Sequence, residues 1–130
     1  MKYKITVKWS RAIQYKQENS QSIPETKGVY EILTERDDKK LDRAYVGKAE
    51  GDTGLRERFL AHLRQDEPNP CIKKTVSSKV CFFDYAEISL KDDRADAERE
   101  LYLKYKYPCN DKEPEGSGRR LEIELEEINP

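Results

Sequence analysis

The chain has 130 residues and a mass of 15.3 kDa, and 39% of its residues are charged. Its formal net charge of -1 disfavours a protein that coats nucleic acid through a uniformly basic surface. No segment approaches the ~20 apolar residues of a membrane helix, and the first residues lack the apolar core of a signal peptide. We therefore expect a cytoplasmic protein with no membrane partner.

The length, and the clustering of apolar residues in periodic segments, predict one folded domain over residues 1–130. Its three cysteines, Cys71, Cys81 and Cys109, are odd in number and include no Cys-x-x-Cys pair. We therefore expect reduced, partly buried thiols rather than a zinc site or a disulfide framework.

The chain begins with a predicted strand over residues 2–9, where apolar and mostly basic side chains alternate. Residues 121–125 alternate apolar with acidic side chains and are a candidate partner strand, in which glutamates would face the lysines. The alternative is a tail that follows the flexible segment 115–118 and either stays free or grips another subunit.

The next two predicted strands form a hairpin. Residues 28–34 alternate, residues 43–48 are rich in β-forming side chains, and the segment between them is almost entirely charged and polar. Tyr30 and Tyr45 lie on these two strands. We expect Gly47 to end the second strand at a turn, which would place both tyrosine hydroxyls at one accessible end of the sheet.

A helix is predicted over residues 54–65, because apolar residues recur there with a period near 3.6. Arg58 and His62 are four residues apart within it. Side chains with this spacing share one helix face, so both can act on the same ligand.

A third strand and a second helix follow. Residues 80–89 are rich in aromatic and β-branched side chains, and residues 94–106 have helical character that ends before Pro108. Glu98 is expected in the first turn of this helix. Asn110 comes just after the proline.

The order of these residues resembles the motif order of the GIY-YIG nuclease family, whose members are metal-dependent enzymes that cut phosphodiester bonds in DNA. The resemblance covers residues 28–110, and the stretch 45–49 is especially similar to the nuclease domains of bacterial excinucleases and their stand-alone relatives. It is carried by Gly28-Val29-Tyr30, Tyr45-Val46-Gly47, Lys48, Arg58, His62, Glu98 and Asn110. The long loop between the tyrosine motifs and a short insertion at 50–54 depart from the family pattern, but both lie in predicted loops, where extra residues cost little.

The resemblance implies an α/β (α+β) fold. Its small, mainly antiparallel three-stranded central sheet would be flanked by helices and extended by the terminal strands. The nuclease core would occupy residues 28–110, with terminal extensions over 1–27 and 111–130.

The resemblance also implies a catalytic site. Glu98 would bind one Mg²⁺ or Mn²⁺ ion. Tyr30 would act as the base and Tyr45 as an orienting hydroxyl, although the residues themselves leave this division open. Because the pKa of a free tyrosine is ~10, a positive charge such as that of Lys48 would have to favour the deprotonated form.

Three further residues complete the implied site. Arg58 would clamp the scissile phosphate with its planar donors. His62 would shuttle a proton to the leaving group or bridge to a phosphate or a tyrosine. Asn110 would hydrogen-bond a tyrosine or the backbone of the active-site loop, and a simple helix-exit turn is the alternative.

We expect DNA as the partner. The loops, the termini, a homodimer or a partner protein would select the position on the DNA that is cut. The alternatives are a non-catalytic nucleic-acid-binding or assembly module with the same fold and, less favoured, an RNA-directed enzyme, for which the sequence has no aromatic-and-basic strand signature. Residues predicted to contact nucleic acid are Lys48, Arg58, Arg64, Lys73, Lys74 and Lys79.

Overall fold

The computed structural model describes residues 2–130, which form two sheets, one 3₁₀ helix and three α-helices. The strands are β1 (Tyr3–Lys8), β2 (Ile13–Gln14), β3 (Gly28–Glu35), β4 (Leu41–Ala49), β5 (Cys81–Glu87) and β6 (Ile123–Ile128). The 3₁₀ helix spans Gln17–Ser22, and the α-helices are α1 (Gly54–Ala61), α2 (Pro70–Ser78) and α3 (Lys91–Tyr105). Over this described part of the chain, no helix has the length and apolar character needed to cross a membrane.

The central sheet is antiparallel, with the strand order β2-β5-β3-β4. The predicted α+β class and its three antiparallel strands, β3, β4 and β5, are confirmed. The fourth strand, β2, pairs with Phe82 and Phe83 and was not predicted. Two residues are too few for an alternating pattern to reveal a strand.

Each face of this sheet has its own core, because successive side chains on a strand point to opposite faces. Tyr30 of β3 packs with Phe59 of α1 on one face. Val29, the preceding residue, packs with Leu101 of α3 on the other face. The strand β4 lies at the edge of the sheet, so side chains from both layers meet along it.

Gly47 lies inside β4, opposite Tyr30, so the prediction that it ends the strand at a turn is wrong. A Cβ atom on Gly47 would lie 2.5 Å from the Tyr30 hydroxyl oxygen. Glycine is therefore required because the Tyr30 ring crosses directly over it. This packing leaves Tyr30 only 1% exposed, so its hydroxyl is not at an accessible end of the sheet, whereas Tyr45 is half-buried.

Glu98 lies in the middle of α3, so the prediction that it lies in the first turn of this helix is wrong. The helix begins at Lys91, so Asp92 and Asp93 occupy the first turn. Carboxylates at that end interact favourably with the helix dipole. Glu98 is thus free of an end-capping role.

The region of the cysteines differs most from the sequence-based expectation. Helix α2 was not predicted, although Asn69 caps it by accepting hydrogen bonds from the backbone N–H groups of Cys71 and Ile72 at 3.0 and 3.1 Å. Cys71 forms a disulfide bond with Cys109, so the prediction of reduced thiols is wrong for this pair. The two cysteines are 38 residues apart, and only the tertiary fold brings them together. Cys81 is free and buried.

The terminal strands pair with each other, as their alternation predicts, but they do not extend the central sheet. β1 and β6 form a separate parallel sheet. Lysines face glutamates across it, with Lys2 and Glu122 3.8 Å apart and Lys4 and Glu126 3.5 Å apart. These pairs are exposed and contribute little to stability. The inward apolar side chains of both strands join the core around α3.

Candidate active site

Tyr30, Arg58 and His62 form one hydrogen-bonded cluster on the α1 side of the central sheet. The Tyr30 hydroxyl oxygen lies 2.7 Å from Nε2 of His62 and accepts a hydrogen bond from Nε of Arg58 at 3.3 Å. Nη2 of Arg58 lies 3.1 Å from the same His62 nitrogen. The four-residue spacing therefore places the two α1 side chains together, although His62 ends the helix instead of lying within it.

His62 is buried, and its contacts define where its proton lies. A guanidinium can only donate, so Nε2 of His62 must accept, and the ring proton is on Nδ1. Nδ1 then donates to Oε2 of Glu67 at 3.0 Å. Burial and the charge of Arg58 lower the pKa of His62 to about 4, while Glu67 acts in the opposite direction. At neutral pH, His62 thus presents an unprotonated nitrogen to the Tyr30 hydroxyl.

Both tyrosines of the sequence motifs are at the site. Their ring centroids are 6.1 Å apart, and the Tyr45 ring lies 5.3 Å from that of His62. Burial raises the pKa of Tyr30 far above its ordinary value, and burial together with the Glu98 carboxylate raises the pKa of Tyr45. Both are therefore protonated at neutral pH, so Tyr30 must pass its proton to another group before it can act as a base.

Glu98, Tyr45 and Asn110 line an open cleft of about 360 Å³ beside the edge of β4. Burial raises the pKa of Glu98 to about 7, and the positive charge of Lys48 opposes this shift. Lys48 lies on β4 and forms an ion pair of 3.9 Å with Glu50. A cation bound in this cleft would therefore stabilise the Glu98 carboxylate in its charged form.

Asn110 holds the chain after α3 against the outer edge of β4. Its Oδ1 accepts a hydrogen bond from the Val46 N–H at 3.0 Å, and its Nδ2 donates to the Val46 carbonyl at 2.9 Å. The amide thus satisfies backbone groups that an edge strand otherwise leaves unpaired. The partner is therefore the backbone of Val46 within β4, next to Tyr45, and not a tyrosine side chain or the backbone of a loop.

The predicted nucleic-acid contacts are spread over a wider surface. Arg58 and Arg64 line one cavity, but the Arg64 guanidinium pairs with Glu57 at 2.8 Å. Lys73 and Lys74 are exposed on α2. Their role in binding DNA stays a prediction.

Two residues of the site were not predicted from the sequence. Glu67 lies in the loop between α1 and α2, where neither periodicity nor a motif marks it. Asn69 did have a signal, since asparagine followed by proline before an apolar segment is typical of a helix start. Its side chain also donates to the Cys109 carbonyl at 2.8 Å, which fixes the start of α2 beside Asn110.

No protein-family model and no curated protein matches the chain. Among solved structures, it is similar to the GIY-YIG N-terminal endonuclease domain of UvrC from Thermotoga maritima, determined as a tyrosine-to-phenylalanine mutant bound to its catalytic divalent cation. The match has a TM-score of 0.55 and 18% sequence identity, and it covers 74% of this chain and 94% of that domain. The chain therefore has the GIY-YIG fold. This confirms the fold that the sequence resemblance implied.

The donor set in this GIY-YIG fold suits a hard divalent cation. Among residues 2–130, no three His, Cys, Asp or Glu side chains are grouped as a metal cage. Mg²⁺ keeps several waters and needs only one or two protein carboxylates, so Glu98 suffices in this open cleft, which Asp111, Glu113 and Glu115 also line. His62 is a poor ligand here, since both of its ring nitrogens are already bonded.

Proposed function

We propose that the protein is an endonuclease that hydrolyses DNA phosphodiester bonds with one divalent cation, Mg²⁺ or Mn²⁺. Such hydrolysis needs a base for the attacking water, positive charge on the phosphate and stabilisation of the departing oxygen. The observation that carries the proposal is the neutral Tyr30–His62 pair beside Arg58, next to the Glu98 cleft. The UvrC domain of similar fold, an endonuclease domain with a catalytic divalent cation, supports it.

Tyr30 and His62 together supply the base. Because Tyr30 is buried, the attacking water would have to reach its hydroxyl beside Arg58, which is only half-buried. As Tyr30 takes a proton from that water, its own proton passes to Nε2 of His62, 2.7 Å away. A phosphate bound at Arg58 would offset the guanidinium charge that lowers the pKa of His62. The substrate would thus make His62 a stronger proton acceptor. Tyr45, half-buried beside the pair, would orient the water or the phosphate.

The positive charge that acts on the phosphate would come from Arg58, from Lys48 and from the ion that Glu98 holds. Arg58 uses two nitrogens on Tyr30 and His62, and its planar group has further N–H donors for phosphate oxygens. Glu98 would hold the divalent ion, which when bound neutralises the phosphate and stabilises the departing oxygen. Lys48 adds a positive charge next to Glu98.

A non-catalytic module is the second candidate, and one observation favours it. The chain after Asn110 lines the same cleft with Asp111, Glu113 and Glu115. Carboxylates at this position repel a DNA backbone. On this alternative the cleft binds a partner protein, and the fold serves assembly.

The two candidates differ in a cleavage assay on plasmid, single-stranded and branched DNA. We expect cuts in at least one substrate with Mg²⁺ or Mn²⁺ and none when EDTA is present. DNA binding without cuts under all these conditions would favour the binding module, and the absence of both would favour the assembly module. DNA as substrate, a homodimer or partner protein for targeting and a cytoplasmic location are all part of the proposal.

A further inference from the structure

We propose that Glu67 is a positioning residue of this site, which orients the His62 ring through its Nδ1–H and stabilises the imidazolium that forms when His62 accepts the Tyr30 proton. The inference rests on the proposed nuclease function and deepens it. It concerns a residue in the loop between α1 and α2 that the sequence motifs do not include.

The first argument is the burial of the Glu67 carboxylate. The side chains of His62 and Glu67 are only 2% and 5% exposed, and Nδ1 of His62 lies 3.0 Å from Oε2 of Glu67. The second oxygen, Oε1, accepts a hydrogen bond from the Asn69 backbone N–H at 3.2 Å. A carboxylate removed from water must be compensated by its partners. Both oxygens have one, so the carboxylate has a fixed orientation towards His62.

The second argument is the order of the contacts. The Tyr30 hydroxyl, the His62 ring and the Glu67 carboxylate form a chain, joined at 2.7 Å and 3.0 Å. Such a chain gives a reacting hydroxyl, a base and a group that orients the base. Since Glu67 accepts the Nδ1 proton, Nε2 remains free to accept from Tyr30. Without Glu67, the Nδ1–H would be buried without an acceptor, and the imidazolium would have no negative partner beside the Arg58 charge.

The proton and bond changes then balance. The O–H bond of the attacking water breaks, its proton moves to the Tyr30 oxygen, and the Tyr30 proton moves to Nε2 of His62. The water oxygen bonds to phosphorus as the P–O bond to the leaving group breaks, and the leaving oxygen takes a proton from solvent. Glu67 does not accept a proton itself; its negative charge stabilises the imidazolium. His62 later returns its proton to solvent through Tyr30.

Nitrogen-15 NMR of the His62 ring tests this directly, because His62 is the only histidine of the chain. In the wild-type protein without DNA, we expect the Nδ1–H tautomer at neutral pH. Glu67→Gln keeps an acceptor for the Nδ1–H but removes the negative charge, so it should leave the tautomer in place and lower the titration midpoint of the ring. Asp66→Asn changes the neighbouring acidic residue in the same way and is the matched control, which should leave the midpoint unchanged. An unchanged titration midpoint in Glu67→Gln would overturn the proposal, whatever its cleavage rate.

Kinetics provide the second measurement. Glu67→Gln should lower kcat by about tenfold to a hundredfold, the range seen when a group that orients a metal-binding histidine is removed. KM should change little, the acidic limb of the pH–rate profile should move to lower pH, and Glu67→Asp should restore part of the rate. A fall in kcat with an unmoved pH profile and no rescue by Glu67→Asp would mean a merely structural role. If the wild-type protein cuts no DNA while the NMR result holds, the nuclease function fails and the positioning of His62 stands.

Discussion

The Tyr30 hydroxyl is constrained from three directions. His62 and Arg58 contact its oxygen, and Gly47 leaves the space that its ring occupies. None of these contacts is local in sequence. A substitution at any of the three positions therefore reaches the hydroxyl, and each acts by a different physical route.

Replacing Gly47 with alanine should destabilise the fold and displace Tyr30. The added Cβ would lie 2.5 Å from the hydroxyl oxygen and 2.6 Å from Cζ, well inside contact distance. Overpacking of this kind costs about 1–3 kcal/mol, so the melting temperature should fall. Gly51→Asn is the control, since an added Cβ there meets nothing within 4 Å and asparagine tolerates its positive φ. Equal melting temperatures for Gly47→Ala and the wild type would contradict this packing.

Replacing Arg58 with lysine should lower turnover far more than DNA affinity. Lysine keeps the charge, but it lacks the planar fork that contacts Tyr30 at 3.3 Å and His62 at 3.1 Å and still has N–H donors left for a phosphate. Single-turnover rates and Kd on the same substrate distinguish the two effects. Arg36→Lys, in the exposed loop between β3 and β4, is the control. Equal losses of rate and affinity in Arg58→Lys would make Arg58 a general binding residue.

His62 should make the fold sensitive to acid. Its pKa is about 4 in the folded protein and about 6.5 when unfolded. The unfolded state therefore takes up a proton first, and stability is lost as the pH falls from about 6.5 to 4. Urea unfolding of wild type and His62→Gln at several pH values isolates this effect. We expect the free energy of unfolding of the wild type, relative to that of the variant, to decrease as the pH falls from about 6.5 to 4. A difference that stays constant with pH would contradict this expectation.

At the scale of elements, long patterns were predictable and short ones were not. Strands β3 and β4 were found because their alternation or β-forming composition persists over several residues. Strand β2 depends on a partner far along the chain, and α2 has nine residues whose capping signal at Asn69 is local. The start of α3 was misplaced because acidic residues dominate its first turn, and the error put Glu98 at the wrong position in the helix.

Removing residues 121–130 should lower the melting temperature, because β6 pairs along the whole of β1 and covers the core around α3. Trp9, the only tryptophan, is 5% exposed and donates to Glu127 at 2.8 Å. Its fluorescence should therefore shift to longer wavelength. Removal of only residues 129–130, beyond β6, is the control. An unchanged melting temperature with higher DNA affinity at low salt would contradict strand pairing and favour an acidic shield.

At the scale of the whole molecule, the site lies where the two layers of the fold meet at the edge of β4. Arg58 lies on α1 and Glu98 on α3, and Tyr45 connects the two sides, since its ring lies 5.3 Å from that of His62 and it lines the cleft with Glu98. The sequence resemblance named these residues. Their arrangement depends on packing across the sheet. Glu67 is recognised as part of the site only from its contact with His62 in the folded structure.

The cleavage rate of Glu98→Gln, relative to wild type in the same Mg²⁺ or Mn²⁺ buffer, tests the nuclease proposal most directly. Glutamine keeps the shape of the side chain but removes the charge that would hold the ion. Glu100→Gln, on the same helix, makes the same chemical change outside the cleft-lining residues. We expect cleavage to be lost in Glu98→Gln and kept in Glu100→Gln, with both variants folded like the wild type. Cleavage by Glu98→Gln at close to the wild-type rate would contradict the assignment of the site.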